Sequence, residues 1–480
     1  GSRIGADLVI WGQLEQSEDQ TILSFSVLET PDKISNPMFV RVLPLYEMAA
    51  TSFFKVGSRQ SEEIAKGTTT LSSFTFGLAH YFQWDFVAAT EAFDQTLRAA
   101  AGSPDDSLHY LTYFYDGLSL QGLQEFEEAN QAFEKAIQAN PDDPAPRVAR
   151  AWGYQSLGQI KEGQDEAETA WTLCSKQIQL QPDNYAAYFD RALANEVLKS
   201  WDAALVDYQA TRDKAPDLYI AYIGIARIQM ILHRLAEAAA TMREAISLAE
   251  SKRANPAWAY VYLAVVEERR ADPVQARAAF EKAISLAPKV DYMHMRFGQF
   301  LETTGSSSDL VNAESEYRVN VDVSNNKAMA HADLARFLAR HGRLEEALAE
   351  YHTALQYDPQ AAGIWTEMAE LLAGLDRLDD ARAGYDRALE LDPGNVYAHL
   401  SFGGFLYDQH AYESAIREWE GVRPMDPDNC RLLLNLGQAY ELLGAQEHAA
   451  LLYRQVYADT TEKSQECRDE AARRLTAVTK

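Results

Sequence analysis

Three Asp-Pro pairs, Asp358-Pro359, Asp392-Pro393 and Asp426-Pro427, stand at even steps, with 34 residues from each proline to the next. Between them the same residue types recur at the same depths. Ala369, Ala381 and Tyr385 in one interval become Gly403, Ala415 and Trp419 in the next. A fixed period of this length means that one supersecondary unit is copied along the chain, each copy covering its apolar face with its neighbours. Trp365, Met368, Ala369 and Leu372 have the i, i+3, i+4, i+7 spacing of an amphipathic helix. Proline ends the second helix of each pair, because it lacks an N–H and disfavours helical geometry just before it. Each repeat therefore reads as helix A, a tight turn and helix B.

The register extends over most of the chain. Repeat two carries Gly117, Ala129, Phe133, Ala136 and Pro141; repeat four carries Ala192, Ala204, Tyr208 and Pro216. Repeat six has Ala264, Ala276, Phe280 and Pro288, and repeat eight has Ala335, Ala347, Tyr351 and Pro359. Repeats three and five need a lengthened helix B before Pro182 and Pro256. Repeat seven carries Gly305-Ser306-Ser307-Ser308 as an insertion in its turn.

This pattern resembles the tetratricopeptide repeat family over about residues 68–460. The resemblance implies a mainly all-α fold, a right-handed solenoid of about 11 helical hairpins with a small N-terminal β-containing segment. Three parts are expected: 1–66, a partial α/β or β-hairpin capping segment; 67–460, the superhelix; and 461–480, a polar capping helix.

Residues 1–66 differ in kind from the rest. Asp7–Gly12 and Thr21–Leu28 are rich in β-branched and aromatic residues and read as a hairpin. Val40–Leu43 reads as a third strand, 45–55 as a helix and 59–66 as the helical lead into the repeats. The stretch Gly5–Gly12 resembles the segment before such arrays in some large bacterial signalling proteins. Gly1-Ser2 has the look of a cloning scar, and the chain opens directly into a strand, as a piece of a longer protein would.

The chain has 480 residues, 44 basic and 71 acidic, for a net charge of −27. No basic stripe of the kind that phosphate contact requires is present, so nucleic acid is not an expected partner. No apolar run reaches membrane-spanning length and no signal peptide is evident, so no membrane is expected either. Three widely spaced cysteines, Cys174, Cys430 and Cys467, fit free thiols in a reducing compartment, hence a cytoplasmic protein, better than a disulfide framework or a zinc site.

The family resemblance implies that helix A lines the concave face, where extended peptides bind. Carried onto this sequence, the groove residues are Phe114 early, then Arg227, Trp258, Tyr292, Met295 and Arg296, and late in the array Arg336, Tyr397 and Tyr407. One subtype of the family clamps a C-terminal carboxylate with lysine at the fifth position of helix A. Phe114, Phe189, Ile223, Val261, Met295, Ala332, Thr366, Leu400 and Leu434 stand there instead, so an apolar or aromatic peptide is the expected ligand. Packing between helices is the alternative role for several of these side chains.

Catalytic signatures are missing from the sequence. No Walker loop, GxGxxG or HExxH occurs, and no cofactor is expected. Gly117–Gly122 is a near miss for a nucleophile elbow, one residue too long in its spacing, and lies on a repeat helix. His294, His331, His341 and His352 form a loose group that reads as packed or solvated histidines. The expected role is a non-catalytic protein- or peptide-binding scaffold, the sensor or adaptor module of a larger bacterial multidomain signalling protein of the signalling-ATPase or effector-linked kind. The alternatives are the substrate-recognition region of an enzyme whose catalytic domain lies elsewhere, or a self-associating assembly scaffold.

Overall fold

The computed structural model describes residues 8–16, 21–29, 54–56, 61–82, 85–100, 106–252, 254–425, 427, 429–458 and 465–478. They fall into two compact units, 1–326 and 327–480. In the first, strands β1 (Leu8–Gln16), β2 (Thr21–Glu29) and β3 (Phe54–Val56) pair antiparallel in the order β1-β2-β3. The strand expected at 40–43 and most of the helix expected over 45–55 lie outside the described residues. Phe54 and Lys55 belong to β3 rather than to that helix.

Seven helical hairpins follow in this unit. Helix α1 (Ser61–Phe82) packs on α2 (Phe86–Ala99), α3 (Asp106–Gly122) on α4 (Phe126–Ala139), and α5 (Ala145–Ser156) on α6 (Ile160–Leu180). Then come α7 (Tyr185–Val197) with α8 (Trp201–Lys214), α9 (Tyr219–Ile231) with α10 (Leu235–Ser251), α11 (Ala257–Arg269) with α12 (Pro273–Leu286), and α13 (Asp291–Thr304) with α14 (Ser307–Val323). The second unit holds four more: α15 (Lys327–Arg340) with α16 (Leu344–Tyr357), α17 (Ala362–Gly374) with α18 (Leu378–Leu391), α19 (Val396–Asp408) with α20 (Tyr412–Val422), and α21 (Cys430–Leu442) with α22 (Gln446–Ala458). Helix α23 (Gln465–Val478) packs on α22 and α21. The eleven hairpins match the register read from the sequence.

The repeating residues do what their sizes allow. Ala89, Ala129, Ala204, Ala276, Ala347 and Ala381 are fully buried where two helix axes approach, and Phe93, Phe133, Phe280 and Tyr385 fill the wedge beside them. Covering a phenylalanine of this kind stabilises the fold by roughly 1.5–3 kcal/mol. Side chains cap several helix starts: Asn395 accepts from the Ala398 N–H at 3.0 Å, Asn429 from Leu432 at 3.0 Å and Asp272 from Gln275 at 3.1 Å. Pro273 stands at the first position of α12, where its missing N–H costs nothing.

Every A–B turn from α3–α4 to α21–α22 contains one residue with positive φ. Four are glycines (Gly158, Gly305, Gly342, Gly444) and six are not (Gln124, Lys199, His233, Ala271, Asp376, His410). The turn geometry is therefore held even where a side chain makes it unfavourable by about 1 kcal/mol. The four residues read as an insertion in the seventh repeat do not form a projecting loop. Gly305 is the left-handed C-cap of α13, Ser306 caps α14 by accepting from the Asp309 N–H, and the extra length becomes helix.

One expectation is overturned. Cys430, the first residue of α21, is joined to Cys467 on α23 by a disulfide, with Cα atoms 6.0 Å apart. Spacing along the chain said nothing of this, because the two sulfurs meet only once α23 folds back. The argument from free thiols for a reducing compartment falls with it. Cys174 lies buried on α6, outside the bridge. Among the described residues, no helix is long and apolar enough to cross a membrane.

Candidate functional site

In the first unit the A helices α7, α9, α11 and α13 bring a chain of polar and aromatic groups together. Trp258 and Tyr262 stand one turn apart on α11, with ring centroids 6.3 Å apart. Tyr292 of α13 stacks on Trp258 at 5.3 Å with 24° between the planes, and is 39% exposed. Trp258 is half-buried. The pair presents a flat, partly open aromatic surface with polar tips, the kind of group that anchors peptide ligands.

Arg227 of α9 lies behind this surface, its guanidinium 5.8 Å from the Tyr262 ring centroid. It does not reach outward. It is buried and ion-paired to Glu196 of α7, which also accepts the hydroxyl hydrogen of Tyr208 from α8. Burial works against the Arg227 charge, but Glu196, with Tyr262 and Tyr208 adding to it, outweighs burial and holds the pKa above its usual value. Burial pushes the Tyr262 hydroxyl up to about 12, with Arg227 acting in the opposite sense, so the ring stays neutral. On the other side, Arg296 of α13 donates to Gln299 at 2.6 Å and lies 3.5 Å from Glu268 of α11. Met295 is half-buried beside it. The charges of the patch are thus balanced in pairs, and what remains open is aromatic.

Phe114 is elsewhere. It is buried among Tyr110, Tyr115 and Phe133 in the core of α3 and α4, where a ligand cannot meet it.

In the second unit, Arg336 of α15 bonds Asp333 on its own helix and Glu367 of α17, the latter at 2.8 Å from Nε. Tyr351 donates its hydroxyl to the same Glu367 at 3.1 Å. Tyr397 of α19, 45% exposed, donates to Glu370 of α17 at 2.7 Å, and Ser401 donates to the other oxygen at 2.5 Å. Burial, and the bond to Glu370 after it, raise the Tyr397 pKa. Tyr407 leans on Trp419 and meets Tyr412 edge-on at 5.3 Å. Arg336, Tyr397 and Glu370 are therefore already engaged across neighbouring helices.

Several members of these patches escaped the sequence reading. Tyr262, Ser401 and Glu367 sit at the sixth position of helix A, one past the fifth, and Glu196 at the twelfth. The i, i+4 step from Trp258 to Tyr262 was the available signal for the first of them. The near elbow at Gly117–Gly122 carries no nucleophile. Ser119 is buried on α3 and donates to the Tyr115 carbonyl at 2.8 Å. Among the described residues, no group of three or more His, Cys, Asp or Glu is placed to hold a metal ion. His294 and His331 instead pair with Glu316 and Glu350, and His341 packs on Phe337.

Models of the tetratricopeptide repeat match residues 117–143, 338–401 and 406–464. Among solved structures, the chain is similar to yeast Tom70, with a TM-score of 0.50 and 14% identity over 86% of this chain and 96% of that one. It is also similar to a tetratricopeptide repeat protein from Parabacteroides merdae (TM-score 0.37, 16% identity, 57% of this chain and all of that one). A third is Pseudomonas aeruginosa pilF (TM-score 0.35, 20% identity, 45% and 97%). At these identities the likeness to the solved structures is one of fold.

Proposed function

Because the chain belongs to the tetratricopeptide repeat family, we propose that it is a non-catalytic scaffold that holds an extended, apolar and aromatic peptide segment against the A-helix face of α9, α11 and α13. The array serves as the sensor or adaptor part of a larger bacterial multidomain signalling protein. The segment it holds comes from a separate protein or from another domain of the same polypeptide.

The observation that carries this reading is the open Trp258–Tyr292 stack on successive A helices. Flat amphipathic rings lose little side-chain entropy on binding and supply most of the energy of such contacts. The charges around them are paired, Arg227 with Glu196 and Arg296 with Glu268, so neither of these arginines is a lone cation for a carboxylate.

Selection of a displayed random-peptide library on the purified chain tests the reading. Enriched peptides are expected to be rich in large apolar residues. They should bind the Trp258→Ala/Tyr292→Ala variant about thirty-fold more weakly, the effect of losing about 2 kcal/mol of anchor contacts. Equal binding to both proteins, with helix content unchanged, overturns the placement of the site.

A further inference from the structure

We propose that the Cys430–Cys467 bridge is a redox-operated staple that decides whether the terminal helix α23 stays docked on α21 and α22. This goes beyond the peptide-binding reading and does not depend on which segment, if any, the scaffold holds.

The bridge joins the first residue of α21 to the third residue of α23 and closes a loop of 37 residues that contains all of α22. Both cysteines are half-buried, so a small thiol can approach them. The helix they hold is 14 residues long and polar in most positions. Among its described side chains, Ala471 alone is buried. A helix of this length is marginal in water unless its neighbours support it. Arg474 is its reach into the fold: it bonds Glu441 of α21 at 3.3 Å, the same carboxylate that accepts the hydroxyl hydrogen of the buried Tyr453 at 2.9 Å.

The chemistry is thiol–disulfide exchange. Two molecules of a small thiol supply two electrons and two protons. One attacks a cysteine sulfur to give a mixed disulfide, and the second releases it, leaving two cysteine thiols and one small disulfide. Oxidation by a small disulfide such as oxidised glutathione runs the same steps backwards. In the reduced protein α23 comes away, Arg474 leaves Glu441, and the side of α21 and α22 around Tyr453 opens to solvent.

Hydrogen–deuterium exchange on the full chain, in oxidised glutathione and in dithiothreitol, tests this. In the oxidised protein a disulfide-linked peptide pair containing Cys430 and Cys467 is expected, together with protection of residues 465–478. Reduction should speed exchange there at least about ten-fold while α15 to α18 stay protected. Cys467→Ser should show the fast pattern in both buffers. A missing linked pair, equal exchange of 465–478 in both buffers, or loss of protection throughout α15 to α18 each overturns the proposal.

Discussion

Nδ1 of His294 lies 2.6 Å from a carboxylate oxygen of Glu316, while its Nε2 lies 2.9 Å from the carbonyl oxygen of Pro288. Both ring nitrogens face acceptors, so the ring satisfies both contacts only when doubly protonated. One imidazolium thus ties α13 to its partner α14 and to the proline that closes the preceding hairpin. His399 stands at the same place, with Glu418 at 2.8 Å and the Pro393 carbonyl at 3.1 Å. Trp365 reaches the Pro359 carbonyl with its indole N–H at 3.0 Å. Tyr222 donates its hydroxyl to the Pro216 carbonyl at 3.1 Å from the same position, so at least four repeats among the described residues use one place on helix A to reach the end of the repeat before.

A pH dependence follows. Burial works against the His294 cation, but the bonds to Glu316 and Pro288 outweigh it, and the pKa stands above the ordinary histidine value. A raised folded pKa contributes stability that is fully present below the unfolded value, about 6.5, and is lost as pH rises through the folded value. Asp291 on the same helix also favours the cation. Between about pH 6 and pH 9 the wild type should lose about 1–2 kcal/mol relative to His294→Gln, read as converging urea midpoints. Parallel curves across that range would show that the imidazolium is not the bonded form.

Arg227 offers a sharper test, because it was read as a ligand contact and is found paired to Glu196 in the interior. Arg227→Met leaves the Glu196 carboxylate buried with Tyr208 as its remaining polar partner, and is expected to cost about 3–5 kcal/mol. Glu196→Gln combined with Arg227→Met removes both charges and should recover most of that loss. Denaturant unfolding of the two variants distinguishes this from a surface role, in which either change would cost under about 0.5 kcal/mol.

Two adjacent glycines should respond in opposite directions. A Cβ on Gly403 would run into the indole of Trp419, which donates to the Leu400 carbonyl at 3.1 Å. A Cβ on Gly404 meets nothing within 4 Å. Gly403→Ala is expected to destabilise by about 1–3 kcal/mol through overpacking. Gly404→Ala should stabilise by about 0.5–1 kcal/mol by restricting the unfolded chain. Thermal melts of the pair read both.

Asp116 on α3 has its carboxyl pushed up to about 7, by burial first, then by Asp94 and Glu125, with Lys135 pulling the other way. A carboxyl raised in the folded state contributes most below its unfolded pKa, near 3.9, and its penalty is complete once pH passes the folded value. Asp116→Asn should therefore melt higher than wild type at pH 8 and show little difference at pH 4. A lower melting point at pH 8 would mean the carboxylate is held by favourable contacts.

The array was legible because its signals are local in register. Ala129, Phe133 and Pro141 lie on one repeat and say where its helices cross and stop. The longer second helices α6 and α10 were equally plain from the distance to Pro182 and Pro256. The candidate site was only half legible. Trp258 and Tyr292 could be placed because each needs nothing more than its position on helix A. The fate of Arg227 depends on Glu196, 31 residues earlier, and that of Phe114 on Tyr110 and Tyr115 crowding the same hairpin. The staple was illegible for the same reason, since Cys467 finds Cys430 only by the folding back of a helix that carries no repeat signature.

The left-handed residue at each hairpin tip from α3–α4 to α21–α22 has a practical corollary. A three-residue bend that keeps its geometry with glutamine, lysine or aspartate in the strained place has no slack for added chain. Extra residues have gone into the helices instead: α6 and α10 run on at their far ends to 21 and 17 residues, and in the seventh repeat the added length became the start of α14, which has 17. Anyone grafting a tag or an epitope into this protein should cut where a second helix hands over to the next first one, after Leu180 or Ser251, and leave the tips alone.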